Sequence, residues 1–172
     1  MLIGKQQLNK TIMRFLVSIV YTYFFMSLLF GCKNANKNKT EDKFYTNKSS
    51  SWDASRIPLI KPYEMIKLNG INEWDMNLVE VPGSVSNIKE INVIQNTIAI
   101  HAGETYCNNT KVQEAWFVII PEKHIEKGFE KKEDFDKYFS SLQINEPKLY
   151  NVDKISADYN KSRKIDWQKG FD

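Results

Sequence analysis

Apolar positions along this chain fall into four regimes. An uncharged, strongly apolar run covers Phe15 to Phe30, and a polar tract rich in Lys, Asn and Ser with almost nothing to bury, "KNANKNKTEDKFYTNKSSSW", follows it over 33–52. From Trp52 onward short stretches alternate with period two, and after Gly128 the period lengthens to that of a helix. In "EWDMNLVEV", Trp74, Met76 and Leu78 alternate with acids and Asn, the mark of a half-buried strand. "YEMIKLNG" carries Tyr63 and Met65 in the same way and stops at Asn69-Gly70, so the two stretches predict a hairpin that Pro82-Gly83 closes. "INVIQ" and "TIAIHA" predict two more strands joined near Asn96, and "AWFVII", ended by Pro121, predicts a central one because it is short, β-branched and aromatic. In "KKEDFDKYFSSLQ", Phe135, Tyr138, Phe139 and Leu142 share one helical face, and Glu133 and Asp134 stand at its start, where the helix dipole favours acids. Val152, Ile155 and Tyr159 predict a second helix over 152–160. The expected fold is α+β: an antiparallel four- to five-stranded meander with one or two C-terminal helices packed on one face.

The first fourteen residues hold Lys5, Lys10 and Arg14 and no acid, ahead of the apolar run. That run is about sixteen residues, short of the roughly 20 that span a bilayer, and the pair of regions has the form of an export signal. "LLFGC" follows: Leu29 three residues before Cys32 and a small residue, Gly31, directly before it. These residues resemble the lipobox of bacterial lipoproteins, with Phe30 a departure from the small residue usual at its position. The resemblance covers 1–32 and implies that Cys32 is acylated and becomes the first residue after cleavage. It also implies a bacterial cell-envelope location, with Lys33 in place of Asp pointing to the outer membrane rather than the inner. Two or three acyl chains hold a soluble domain on a membrane where one holds it only marginally. The expected organisation is a signal over 1–31, a lipidated Cys and flexible tether over 32–52, and one globular domain over 53–172. Such a polar tract has too little to bury to order itself, and as a coil of about 20 residues it reaches about 25 Å.

Charge narrows the partners. The whole chain has 24 basic and 21 acidic residues, and the three basic residues of the signal account for the excess, so the mature chain is neutral. A nucleic-acid partner therefore lacks the basic surface it needs. The membrane, through the anchor, and an envelope protein are the partners expected.

"HAGETYC" sets His101, Glu104 and Cys107 three apart in a predicted loop, with His124 beyond the next strand. All four are zinc-ligand types, and Cys107 beside either His has the makings of an activated thiol. These residues define the alternative of a thiol- or zinc-dependent envelope enzyme. Against it, the spacing matches no common metal pattern, and the sequence has no Gly-rich phosphate loop, GxSxG or HExxH, so no cofactor is expected. With Cys32 acylated, Cys107 has no intramolecular disulfide partner. Trp74 and Trp116 sit on strand faces and are expected in the core, and Trp52 and Trp167 flank the domain. "EAWFVIIPEK" followed by "EDFDKYF" resembles small uncharacterised bacterial lipoprotein domains, which implies an architecture and no chemistry. The leading expectation is a lipid-anchored binding protein of the accessory or immunity type, without catalysis.

Overall fold

A computed structural model of the chain describes residues 42–46 and 53–168. The signal, Cys32, most of the tether, Trp52 and the last four residues lie outside the described residues. Among the described residues no helix is long and apolar enough to cross a membrane.

Five strands form the main sheet: β5 (Ile88–Ile94), β6 (Thr97–Ala102), β9 (Ala115–Ile120), β10 (Ile125–Phe129) and β11 (Tyr150–Asn151), in the order β10-β9-β6-β5-β11 and antiparallel throughout. The β5–β6 turn places Gln95 and Asn96 both at positive φ, 47° and 58°, which is the twist that suits a two-residue hairpin. A second hairpin, β7 (Thr105–Cys107) and β8 (Thr110–Val112), interrupts the meander between β6 and β9 and turns on Asn108 and Asn109, again both left-handed.

β9 is buried at every position because its two faces serve different cores. Ala115, Phe117 and Ile119 join a large cluster with Ile91, Ile98 and Ile100, and Trp116, Val118 and Ile120 join a smaller one with Ala99 and Phe129. This is why "AWFVII" reads as one continuous apolar run. Helix α2 (Lys132–Ser141) covers the smaller core with Phe135 and Phe139, 1 % and 0 % exposed, as its periodicity predicts. Each such ring contributes about 2–3 kcal/mol on burial. Helix α3 (Val152–Ser162) sends Val152, Ile155 and Tyr159 to the other cluster, so the two C-terminal helices serve opposite faces of the sheet. Asn151 caps α3 by accepting from the N–H groups of Asp153 and Lys154, at 3.0 and 3.2 Å, and the Trp74 indole donates to Asp153 at 3.1 Å.

The large core is closed by two small sheets. β1 (Ala54–Pro58) pairs with β2 (Glu64–Leu68), and β3 (Met76–Asn77) pairs with β4 (Ser84–Val85). The predicted hairpin between "YEMIKLNG" and "EWDMNLVEV" is corrected here. β2 takes β1 as its partner and pairs with the second stretch only through the single bridge between Ile66 and Asp75, whose backbones exchange hydrogen bonds of 2.8 and 2.9 Å. Asn69-Gly70 ends β2 with Gly70 at φ 86°, and Pro82-Gly83 returns the chain into β4. The faces were nevertheless legible, since Tyr63, Met65, Trp74 and Met76 are all buried.

One part of the tether expectation also changes. A single-turn helix α1 (Lys43–Thr46) lies within 32–52 and is docked: Arg56 donates to the Phe44 carbonyl at 2.9 Å and lies over its ring, and Tyr45 Oη accepts from the Lys61 N–H at 3.2 Å. Phe44 and Tyr45 are the aromatic pair in that polar segment, and they give it contacts that the flanking Lys and Asn cannot.

Candidate functional site

The four residues of the enzyme reading do not converge. Cys107 closes β7 with no exposed surface, its Sγ packed against Gly128 and the Phe117 ring in the large core. Burial, with the Glu130 carboxylate as a second cause, pushes its thiol above the ordinary range, the opposite of an activated nucleophile. His101 lies on the opposite face of the sheet, stacked on Trp116 at 5.0 Å, with Nδ1 3.1 Å from Glu90 and Nε2 3.3 Å from Glu114. Both ring nitrogens thus face carboxylates on opposite sides of the ring, a geometry that holds the imidazole and leaves neither nitrogen for the thiol. Glu104 is exposed and paired with Lys111 at 2.5 Å, whose ammonium holds the carboxyl below the usual range. His124, left-handed at φ 53°, closes the turn into β10 and contacts Glu80 at 2.7 Å. The four-residue step from Trp116 to Ile120 puts it about 13 Å along β9 from the Trp116 level where His101 stacks. Among the described residues no three His, Cys, Asp or Glu are grouped as metal ligands. Native Cys107 is expected to alkylate with iodoacetamide at least about tenfold more slowly than in denaturant, and mass spectrometry over a time course checks it.

A different place gathers exposed apolar surface around a cavity. On the large-core side of β9 and β10, Phe117 is level with Gly128 and Ile119 with Glu126, and these four floor a cleft of about 540 Å³. The loop from Leu78 to Gly83 forms one wall, and Tyr106, Asn108 and Asn109 of the β7–β8 hairpin form the other. A Cβ at Gly128 would stand 2.7 Å from Cys107 Sγ and 3.0 Å from the Phe117 ring, so the chain needs glycine at that point and the buried thiol fills the space beneath it.

Glu126 sets the shape of the loop wall. One carboxylate oxygen accepts from the Tyr63 hydroxyl at 2.8 Å and the Val79 N–H at 2.6 Å, and the other accepts from the Glu80 and Val81 N–H groups at 3.1 and 2.9 Å. Three consecutive backbone donors and a phenol thus hold one half-buried carboxylate, the arrangement that charge-assisted hydrogen bonds favour. Burial and the Glu126 carboxylate together keep the Tyr63 phenol protonated far above its ordinary range. The loop so fixed turns Val79 and Val81 outward, 55 % and 45 % exposed, and Tyr106 opposite them is 63 % exposed.

None of this cleft was predicted as a site. The signals available were two valines flanking Glu80 ahead of Pro82-Gly83, and a glycine inside a strand pattern, which marks a close approach. Trp74 and Trp116 are core residues, as expected, and Trp167 packs half-buried against the large core. No family model matches this chain, and no curated protein or solved structure matches it either.

Proposed function

We propose that this chain is a lipid-anchored protein of the bacterial cell envelope, of the accessory or immunity type, that binds another envelope protein through the cleft beside β10 and catalyses no reaction. The observation that carries the reading is the pre-formed cleft. Phe117 and Ile119 lie in its floor, the outward Val81 and Tyr106 stand in its two walls, and Glu126 holds the Val81 loop in place, whereas His101, Glu104, Cys107 and His124 lie apart. Exposed apolar side chains gathered at a fixed concave surface favour partner binding, and a loop already ordered loses little entropy when the partner docks. The lipobox-like "LLFGC" supports attachment at Cys32, and Lys33 directly after it, in place of Asp, supports the outer membrane rather than the inner.

The test uses the full chain in its own cells with a short amine-reactive cross-linker. The expected result is one discrete adduct, retained by Cys107→Ala and lost by Val81→Asp, with Cys32→Ser moving the protein from the membrane to the soluble fraction. Membrane retention by Cys32→Ser would remove the anchor from the reading. An adduct indifferent to Val81→Asp would remove the cleft.

A further inference from the structure

β10 is an edge of the main sheet. Among the described residues no strand pairs with its outer side, so alternate residues of Ile125–Phe129 turn their backbone N–H and C=O groups away from β9 without a strand to receive them. An open edge selects its occupant by geometry, because only an extended chain matches that ladder. Two neighbouring residues then set what the added strand must carry. Lys127 lies on the α2 face with its ammonium 5.2 Å from the centre of the Phe129 ring and 4.5 Å from that of Tyr138, and no carboxylate lies within ion-pair distance of it among the described residues. Gly128 lies on the other face and lines the cleft together with Phe117.

A second copy of this chain fits poorly. Two-fold antiparallel pairing of β10 with itself over its five residues would set Lys127 directly against its symmetry mate, and like charges in that position are unfavourable. An acidic residue opposite Lys127 reverses the sign. The residue next to it in the added strand faces Gly128 and can lower a large apolar side chain into the cleft.

We infer that β10 binds an extended peptide segment of a partner by strand addition, with an acidic residue paired to Lys127 and an adjacent apolar residue seated over Gly128 and Phe117. This rests on the cleft being the binding surface and names what it binds. Charge at Lys127 gives register and selectivity, main-chain hydrogen bonds give the extended form, and the cleft contributes the apolar area.

The probe is a display library of short random linear peptides, panned on the full chain in detergent. Enriched peptides should place Asp or Glu beside a large apolar residue. Binding of the best one should be lost on N-methylation of its alternate amides, fall about tenfold in Lys127→Glu, and protect β10 amides from hydrogen exchange. Repeating the selection on Lys127→Glu should exchange the acidic residue for Lys or Arg. Enriched peptides that tolerate N-methylation, or that bind Lys127→Glu as well as wild type, would overturn the inference. If they still depend on Val81, the cleft stands as a binding surface without strand addition. No enrichment overturns the inference also, and the cross-linking result then decides by itself whether the cleft reading survives.

Discussion

Replacing Glu126 with Ala is expected to lower stability by about 3 kcal/mol and to release the loop from Leu78 to Gly83. The side chain accepts four hydrogen bonds, from the Tyr63 hydroxyl and the N–H groups of Val79, Glu80 and Val81. The four losses are unequal. Val79, Glu80 and Val81 are exposed, so their amides regain water when the loop loosens. Tyr63 is 2 % exposed, and its hydroxyl loses its acceptor where water has little access. An orphaned buried donor costs about 1–3 kcal/mol, and the freed loop adds the loss of charge-assisted bonds. With a urea m-value of about 1–3 kcal/mol per molar, the midpoint should fall by about 1–3 M. Glu126→Gln should recover part of this, because its amide nitrogen meets two donors with a donor of its own. A double-mutant cycle separates the terms: Tyr63→Phe removes the orphan, so the pair with Glu126→Ala should cost less than the two single losses together. A change below about 0.5 kcal/mol in Glu126→Ala would mean that the carboxylate does not organise the loop.

The second large effect is expected at Gly128. Gly128→Val should cost about 2–3 kcal/mol, the range for forcing extra carbon atoms into packed space. The first added carbon would already stand 2.7 Å from Cys107 Sγ, and the core around it is closed by Phe117, itself 5 % exposed. The cause can be isolated with the smaller change. Gly128→Ala in the Cys107→Ala background loses the sulfur it would meet and should be tolerated better than in the native background, whereas Cys107→Ser keeps an atom near the same place and should give little relief. Urea melts of each of the three backgrounds, with and without Gly128→Ala, read this directly. Equal costs in the native and Cys107→Ala backgrounds would place the strain elsewhere, on Phe117 or on the backbone of β10.

The course of the main sheet was legible because its strands carry their own signals. The β-branched run ended by Pro121 specifies β9, and the left-handed Gln95 and Asn96 fall where the two apolar stretches meet. Helix α2 was equally plain, since four apolar residues at helical spacing need only one surface to cover. Pairing was less legible. β1 has the sequence "ASRIP", without strict alternation, and its strand character comes from pairing with β2. Once β1 occupies that edge, the Asn69-Gly70 turn ends a strand and does not join the two stretches it separates. α3 could be found from its own face, but which side of the sheet that face meets depends on β11 joining the free edge of β5.

The candidate site was the least legible part, for a physical reason. His101, Glu104, Cys107 and His124 stood out by chemistry, yet the chain leaves β6 for the β7–β8 hairpin between His101 and Cys107, which puts the thiol in the large core while His101 stacks on Trp116 on the other face, and a salt bridge occupies Glu104. The cleft draws on residues 40 or more positions apart, with Glu126 holding the N–H groups of Val79, Glu80 and Val81. A glutamate in the stretch "IEKGF" has no sequence feature that announces backbone acceptor work, and glycine at 128 becomes meaningful only when Cys107 is seen beneath it.

The measurement that tests the account most directly is a photo-cross-linking scan of the full lipidated chain in its own cells, one reactive side chain at a time. Val81, Tyr106 and Lys127 are sampled around the cleft, with Lys137 on α2 and Lys161 on α3 as exposed positions away from it. The account predicts a discrete adduct from the three cleft positions and none from the two helix positions. Adducts from Lys137 or Lys161 in place of the cleft would contradict it and put the binding surface on the helices.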